Sequence, residues 1–385
     1  MMCSLFIARH RGLIPLLHST KRQLGTSAAV AAIPSRNDLQ ALSKTTSEGA
    51  GNPVDISYTP KLPRSRCSEQ SEISTRIQSV QQQLQRRANN PAFYQAIAEI
   101  LKIREQYIQN RSVFVRGQDF LPILLGLGAS HEDIMTLPLT SDNLETDPTL
   151  PFRKTANSRF CFDWDTKSMR RIENQPFMLS KDEDFDRFDS GKVRNFDEIK
   201  PDISLNSTFL AVLVFKAIMI NGIDVIKRGN LNYNLNKWVC IAFSVRTHTT
   251  PDILGEPALE GVHSDGADHT LVTLLGAKNM ASNSAATFLH SMDEATGTPL
   301  RDASPLKIVG CNRHSSFLDT MMVVDHERKH SLTAVYAEDK AALATRDVLI
   351  FFTRKPYLET HPAASLDSLE PHARLGVEVP LFDLS

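Results

Sequence analysis

Two residues separated by one position, His263 and Asp265, carry the first chemical signal in the chain. On an extended segment, side chains at i and i+2 project to the same face, so an imidazole and a carboxylate at this spacing can converge on one metal ion. A second imidazole, arriving from elsewhere in the chain, would complete a set of two nitrogens and one oxygen on one face of an octahedral iron(II). Three positions would then stay open, enough for a bidentate cosubstrate and dioxygen. A His-x-Asp triplet by itself arises by chance in a chain of this length, so its surroundings must decide. Asp163 and Asp165 form another same-face pair, but beside Trp164 and with no histidine nearby they read as a turn.

The elements that must position such a site begin around Trp238, where the sequence turns to short β-rich segments. Residues 238–245, 269–275, 285–289, 316–324 and 347–352 are strand candidates separated by Gly, Pro, Asn and Asp, a spacing that suits an antiparallel sandwich or barrel. Upstream, Ile77, Val80 and Leu84 mark a helical stripe. Asn90 and Pro91 then open a second helix as N-cap and first turn, and Phe93, Ile97, Ile100, Leu101 and Ile108 give it one apolar face. Residues 207–220 predict a buried helix stopped by Asn221 and Gly222. The stretch 38–69 is rich in Ser, Thr, Pro and Gly without an apolar period and reads as a linker. The expected organisation is a leader over 1–37, that linker, a helical and mixed support region over 70–205, and a catalytic core over 206–385.

The run from Glu260 to Asp268, Glu-Gly-Val-His-Ser-Asp-Gly-Ala-Asp, is followed by an apolar strand and Asn279, and preceded by a strand from Trp238 to Arg246. It resembles the bacterial and fungal 2-oxoglutarate/iron dioxygenase family typified by free L-isoleucine hydroxylases. The resemblance extends over about 159–353 and is strongest over 238–279. It implies a mainly β fold with helical additions, a double-stranded β-helix or jelly roll, and the cofactor set of Fe(II), 2-oxoglutarate and O2. The segment from Asp325 to Thr333 is similar to the family segment that carries the distal iron ligand. The resemblance therefore implies His263, Asp265 and His330 as ligands, with His326 as the rival to His330.

Arg346, in Arg346-Asp347-Val348-Leu349, matches the family's arginine for the far carboxylate of 2-oxoglutarate, which a planar guanidinium can grip with two parallel hydrogen bonds. Arg354, an even number of residues along the same strand, is the fallback. Asn279 is placed near the cosubstrate, and Arg246 and Asp268 in substrate or supporting roles, with structural ion pairing as the equal alternative. His248, His290 and His314 read as structural or exposed. Among the departures from the family pattern, Ala258-Leu259 replaces a proline before Glu260, residues 281–284 replace a Gly-Gly-Glu segment, a change expected to reshape the pocket, and Ala334 replaces the proline after Thr333.

By resemblance the reaction hydroxylates a C–H bond of a small substrate, a free aliphatic amino acid, with release of succinate and CO2. The alternatives are an oxygenase acting on a larger metabolite or a protein side chain, and a jelly-roll protein that binds metal without turnover. A two-metal hydrolase is disfavoured because only one carboxylate is tied to the cluster.

Composition agrees with a small-molecule enzyme. The formal net charge is -1, which argues against nucleic acid or an anionic membrane as partner. Hydrophobic residues make up 41% and charged residues 23%, so a sizeable core can be buried. The five cysteines include no Cys-x-x-Cys pair, which fits a reducing compartment. Residues 1–37 are basic, hydroxylated and free of Asp and Glu, the composition of a mitochondrial transit peptide, with a cytoplasmic location as the alternative.

Overall fold

The computed structural model describes residues 66–183 and 189–382. The predicted transit peptide and nearly all of the predicted linker lie outside the described residues. The last linker positions, from Arg66, already belong to a helix.

Helix α1 (Arg66–Arg86) carries the Ile77, Val80 and Leu84 stripe. Helix α2 (Pro91–Asn110) begins as predicted, with the Asn90 side chain accepting the Ala92 N–H at 3.0 Å. Helix α3 (Gly117–Gly126) is not evident in the sequence. Helix α4 (Ser207–Ile220) is capped by Asn206, which accepts from Thr208 and Phe209, and every one of its residues is buried. A helix apolar on all sides has no solvent face to offer and must sit inside the molecule.

The strands are β1 (Ser112–Val115), β2 (Arg153–Asp163), β3 (Ser168–Ile172), β4 (Asp197–Glu198), β5 (Lys237–Thr249), β6 (His269–Lys278), β7 (Ala286–His290), β8 (Ile308–Arg313), β9 (Thr320–Val324), β10 (Lys329–Leu332), β11 (Ala344–Arg354) and β12 (Glu378–Pro380). A nine-stranded sheet runs β1-β9-β6-β11-β5-β2-β3-β12, with β4 paired to β2, and a three-stranded sheet runs β10-β7-β8. Residues from both sheets line one cavity between them. This is a large antiparallel sheet with helical additions, the double-stranded β-helix class. The expected boundary at residue 206 is corrected: β1, β2, β3 and β4 come before it, yet all four pair into the same large sheet as the later strands. The described residues from Arg66 onward form one compact unit.

Side chains sort by period two across the large sheet. Trp238, Cys240 and Ala242 of β5 and Leu349 and Phe351 of β11 pack with the helices. Val239, Ile241, Phe243 and Val245, with Val348, belong to the cluster on the opposite face. Both faces are buried, so these strands read as continuous apolar runs rather than as an alternation. Each buried phenylalanine contributes about 1.5–3 kcal/mol of hydrophobic stabilisation, which holds the sheet as a rigid floor beneath the cavity.

Candidate metal centre and cosubstrate cavity

His263 and His330 face each other as a directly opposed antiparallel pair. Each donates its backbone N–H to the other's carbonyl at 2.9 Å, an exchange that puts both side chains on one face. Their ring centroids lie 4.4 Å apart. His263 Nδ1 is 2.9 Å from the Gly261 carbonyl, which can only accept, so Nδ1 carries a proton and Nε2 is the nitrogen on the Asp265 side, available to a metal. Gly261 makes this approach possible: its φ is +71°, and a Cβ there would meet the Thr298 carbonyl oxygen at 2.5 Å.

Asp265 completes the group. Its carboxylate oxygens lie 3.6 Å from His263 Nε2 and 3.5 Å from His330 Nε2, and one candidate ligand atom from each residue falls within 4.8 Å of the others. The loop holding Asp265 is fixed by Asp325, a buried carboxylate that accepts the Asp265 N–H at 2.8 Å and the Ala267 N–H at 3.2 Å. Asp325 also approaches His330 Nδ1 at 4.0 Å. Burial, reinforced by the charge of Asp265, pushes the Asp325 carboxyl up to about 8.

Burial alone would lower both imidazoles. At His263 it is outweighed by the contact with Asp265 and the charge of Glu260, leaving the ring raised to about 9. At His330 burial wins over the attraction of Asp265, His263 adds repulsion, and the ring is held down at about 4. Asp265 stays below its ordinary range despite burial, because the two imidazoles favour its charged form. A divalent cation bound by the three side chains would displace the extra proton that His263 carries.

The cluster opens into a cavity of about 140 Å³. Phe243, Val245, Ile350 and Phe352 contribute apolar wall, and Arg153, Arg194, Glu260 and Arg346 bring charge to it. Arg346 is 3% exposed, and its Nε and Nη2 have no hydrogen-bond partner among the described residues. Burial lowers it to about 10, so it keeps its charge at neutral pH. A buried guanidinium with two unmatched donors is costly unless an anion completes it. Beside a two-histidine, one-carboxylate cluster, that requirement fits a dianion reaching from a bound iron to Arg346. His314 lines the cavity too; burial and the nearby Arg346 charge hold it down at about 3, and its Nε2 lies 3.2 Å from the Val272 carbonyl.

Several expected residues lie elsewhere. His326 bonds the Ile226 carbonyl through Nε2 and sits 3.8 Å from Asp268, outside the cavity. Arg354 is engaged by Asp367 and stacks over Tyr357 with its guanidinium 3.4 Å from the ring centre. Asn279 is corrected from a cosubstrate contact to a loop clamp: its Nδ2 donates to the Asp339 and Ala342 carbonyls at 2.9 and 3.0 Å, and it does not line the cavity. Arg246 and Asp268 do not line the cavity either, and both make the structural contacts that the sequence left as the alternative. Arg246 is matched by Asp347 and Asp142, and Asp268 accepts from Tyr233 Oη at 2.8 Å and the Lys355 N–H at 3.2 Å. Asp163 caps its turn and pairs with Arg170 and Lys237. Of the sequence departures, residues 281–284 lie outside the cavity, whereas Ala258 lines it.

Sequence reasoning assigned no role to Arg153, Glu260 or the aromatic wall. Glu260 stood inside the quoted motif, and Phe243 and Phe352 were visible in the strands but indistinguishable from core. Arg153 falls before the region of resemblance.

Comparison with known proteins agrees with this geometry. The 2OG-Fe dioxygenase family matches residues 139–352. The "Bifunctional enzyme flvA" of Aspergillus flavus is 44% identical over 290 residues, 75% of this chain; the chain spans only 35% of that relative's length. The solved structure of the selenomethionine-labelled Fe(II)/(alpha)ketoglutarate-dependent dioxygenase TqaL is 47% identical, with a TM-score of 0.67 over 76% of this chain and 99% of that one. The crystal structure of IDO from Bacillus thuringiensis, 18% identical with a TM-score of 0.52, covers 68% of this chain and all of its own (100%), and shares the fold.

Proposed function

The chain belongs to the 2OG-Fe dioxygenase family, and we propose that it is an Fe(II)/2-oxoglutarate-dependent dioxygenase that hydroxylates a C–H bond of a free aliphatic amino acid, releasing succinate and CO2. The observation that carries this reading is the pairing, in one cavity, of the His263, Asp265 and His330 cluster with the buried, partnerless edge of Arg346. The three ligands would hold iron(II), and Arg346 would bind the far carboxylate of 2-oxoglutarate. When bound, the iron supplies the dioxygen chemistry that no side chain can perform.

What the protein adds is position and exclusion. Gly261 and Asp325 fix the ligand loop, and Arg346 sets the distance of the cosubstrate from the ligands. The Phe243, Val245, Ile350 and Phe352 wall keeps water from the reacting carbon and offers an aliphatic side chain a matching surface. Size supports a small substrate. At roughly 10–15 Å³ of such space per water, a cavity of about 140 Å³ holds on the order of ten waters. That room suits 2-oxoglutarate with one small partner.

The test is succinate formation by protein reconstituted anaerobically with iron(II) and 2-oxoglutarate, then exposed to oxygen with and without a panel of free amino acids. Stimulation by an aliphatic amino acid is the expected result. Uncoupled turnover alone would redirect the search to larger substrates, and no turnover in iron-loaded protein would favour a non-catalytic metal-binding role.

A further inference from the structure

We propose that Arg153, held in place by the buried Asp147, is the anchor for the substrate's carboxylate, a specificity-determining residue distinct from the arginine that serves the cosubstrate. This rests on the amino-acid reading above and deepens it. Arg153 of β2 lies opposite Thr247 of β5, and Thr247 lies opposite Arg346 of β11. Directly opposed residues share a face of the sheet, so the two arginines point to the same side, two strand spacings or roughly 10 Å apart. Both line the cavity. A cosubstrate tied to the metal ligands at one end and Arg346 at the other leaves Arg153 for a second anion.

The mounting of Arg153 is that of a presented group rather than of an ion pair complete in itself. Asp147 Oδ1 accepts from Thr149 N–H at 2.8 Å, Thr149 Oγ1 at 2.7 Å and Leu150 N–H at 3.1 Å. Its Oδ2 accepts from Thr155 Oγ1 at 2.8 Å and from Arg153 Nε at 3.0 Å, with Arg153 Nη2 at 2.8 Å. The carboxylate is therefore fixed by its own turn and, among the described residues, holds the guanidinium along its Nε and Nη2 edge. The edge formed by Nη1 and Nη2 remains for a carboxylate in the parallel, two-bond geometry that arginine favours. Thr155, which also lines the cavity, ties this clamp to the cavity floor. The substrate class this defines is a small carboxylic acid with an aliphatic body, of which a free amino acid is one.

The experiment is anaerobic calorimetric titration of the full chain loaded with Mn(II) and 2-oxoglutarate, using the amino acid that stimulates turnover most and its primary amide. Wild type should bind the amide about 10- to 100-fold more weakly, the scale of a charge-assisted pair. Arg153→Gln should weaken the amino acid by the same factor, leave the amide nearly unaffected, and keep the affinity for 2-oxoglutarate within about two-fold. Arg346→Gln should show the reverse pattern, losing 2-oxoglutarate affinity first. Arg153→Lys keeps a counter-charge for Asp147 and so guards against a folding defect; it should still bind the amino acid several-fold more weakly, because the fork is lost. Amino-acid binding as tight in both Arg153 variants as in wild type would overturn the anchor and leave the amino-acid reading standing. Wild type that binds no amino acid while turning over 2-oxoglutarate would overturn both.

Discussion

On β11, Leu349 and Phe351 point toward the helices, whereas Arg346, Ile350 and Phe352 point into the cavity. Each side holds a buried cation, and the two are treated differently. Behind the sheet, Lys216 of α4 is fully buried and gives its ammonium to two backbone acceptors, the carbonyls of His269 and Phe351. In the cavity, Arg346 has two donors with no acceptor among the described residues. The fold completes Lys216 with its own carbonyls and leaves Arg346 an open edge where a ligand can supply the partner. On the cavity side two imidazoles and a carboxylate also converge on one point, while the helix side is largely apolar core.

The comparison is broken most severely by removing a ligand. His263→Ala, Asp265→Ala or His330→Ala should each lower iron affinity by more than about 100-fold, beyond the loss typical of residues that only support a ligand, and abolish turnover. His326→Ala should leave iron binding intact; metal titration distinguishes them, and the reverse result would exchange the two histidines. On the other face, Phe351→Ala should cost about 3–5 kcal/mol of stability, because it opens a cavity beside Phe209, whose ring centre is 5.7 Å away. Denaturant unfolding reads that loss, and iron affinity of the folded fraction should hold.

Lys216 sharpens the contrast through pH. Burial lowers its ammonium to about 7, against roughly 10.4 in an unfolded chain. Between those values the unfolded state binds the extra proton, so the Lys216 contribution to stability should rise with pH from about 7 toward about 10, by on the order of 1 kcal/mol per pH unit. Below about 7 the full cost of burying the charge is present. Lys216→Met should remove this slope, as urea unfolding across the range would reveal; an unchanged slope would place the titration elsewhere.

Much of this arrangement was legible in the sequence, and what was not has a physical reason. β5, β6, β7, β9 and β11 showed themselves because their residues are largely apolar, and Asn90 and Pro91 announced α2 by cap chemistry. β1, β8 and β10 are short or half-exposed and carry little pattern, and β2 is broken up by Arg, Lys, Asn and Ser that only the fold buries. The spacing of His263 and Asp265 was local and therefore readable. The place of Arg153 beside Arg346 depends on pairing through β5, a relation between residues nearly two hundred positions apart that no local spacing encodes.

Asn279 gives the smallest effect and the finest test. It follows β6 at a φ of +52°, in the left-handed region, and its side chain ties the loop at Asp339 and Ala342 with three exposed bonds. Glycine adopts that φ without strain, so Asn279→Gly removes the side-chain bonds alone. Exposed bonds of this kind are each worth no more than about 1 kcal/mol, since water replaces them. The variant should therefore lose about 1 kcal/mol of stability and keep its affinity for 2-oxoglutarate, measured by titration of the metal-loaded protein. A ten-fold loss of that affinity would mean that the loop reaches the cavity, and the division between self-completed and ligand-completed groups would have to be redrawn around β6.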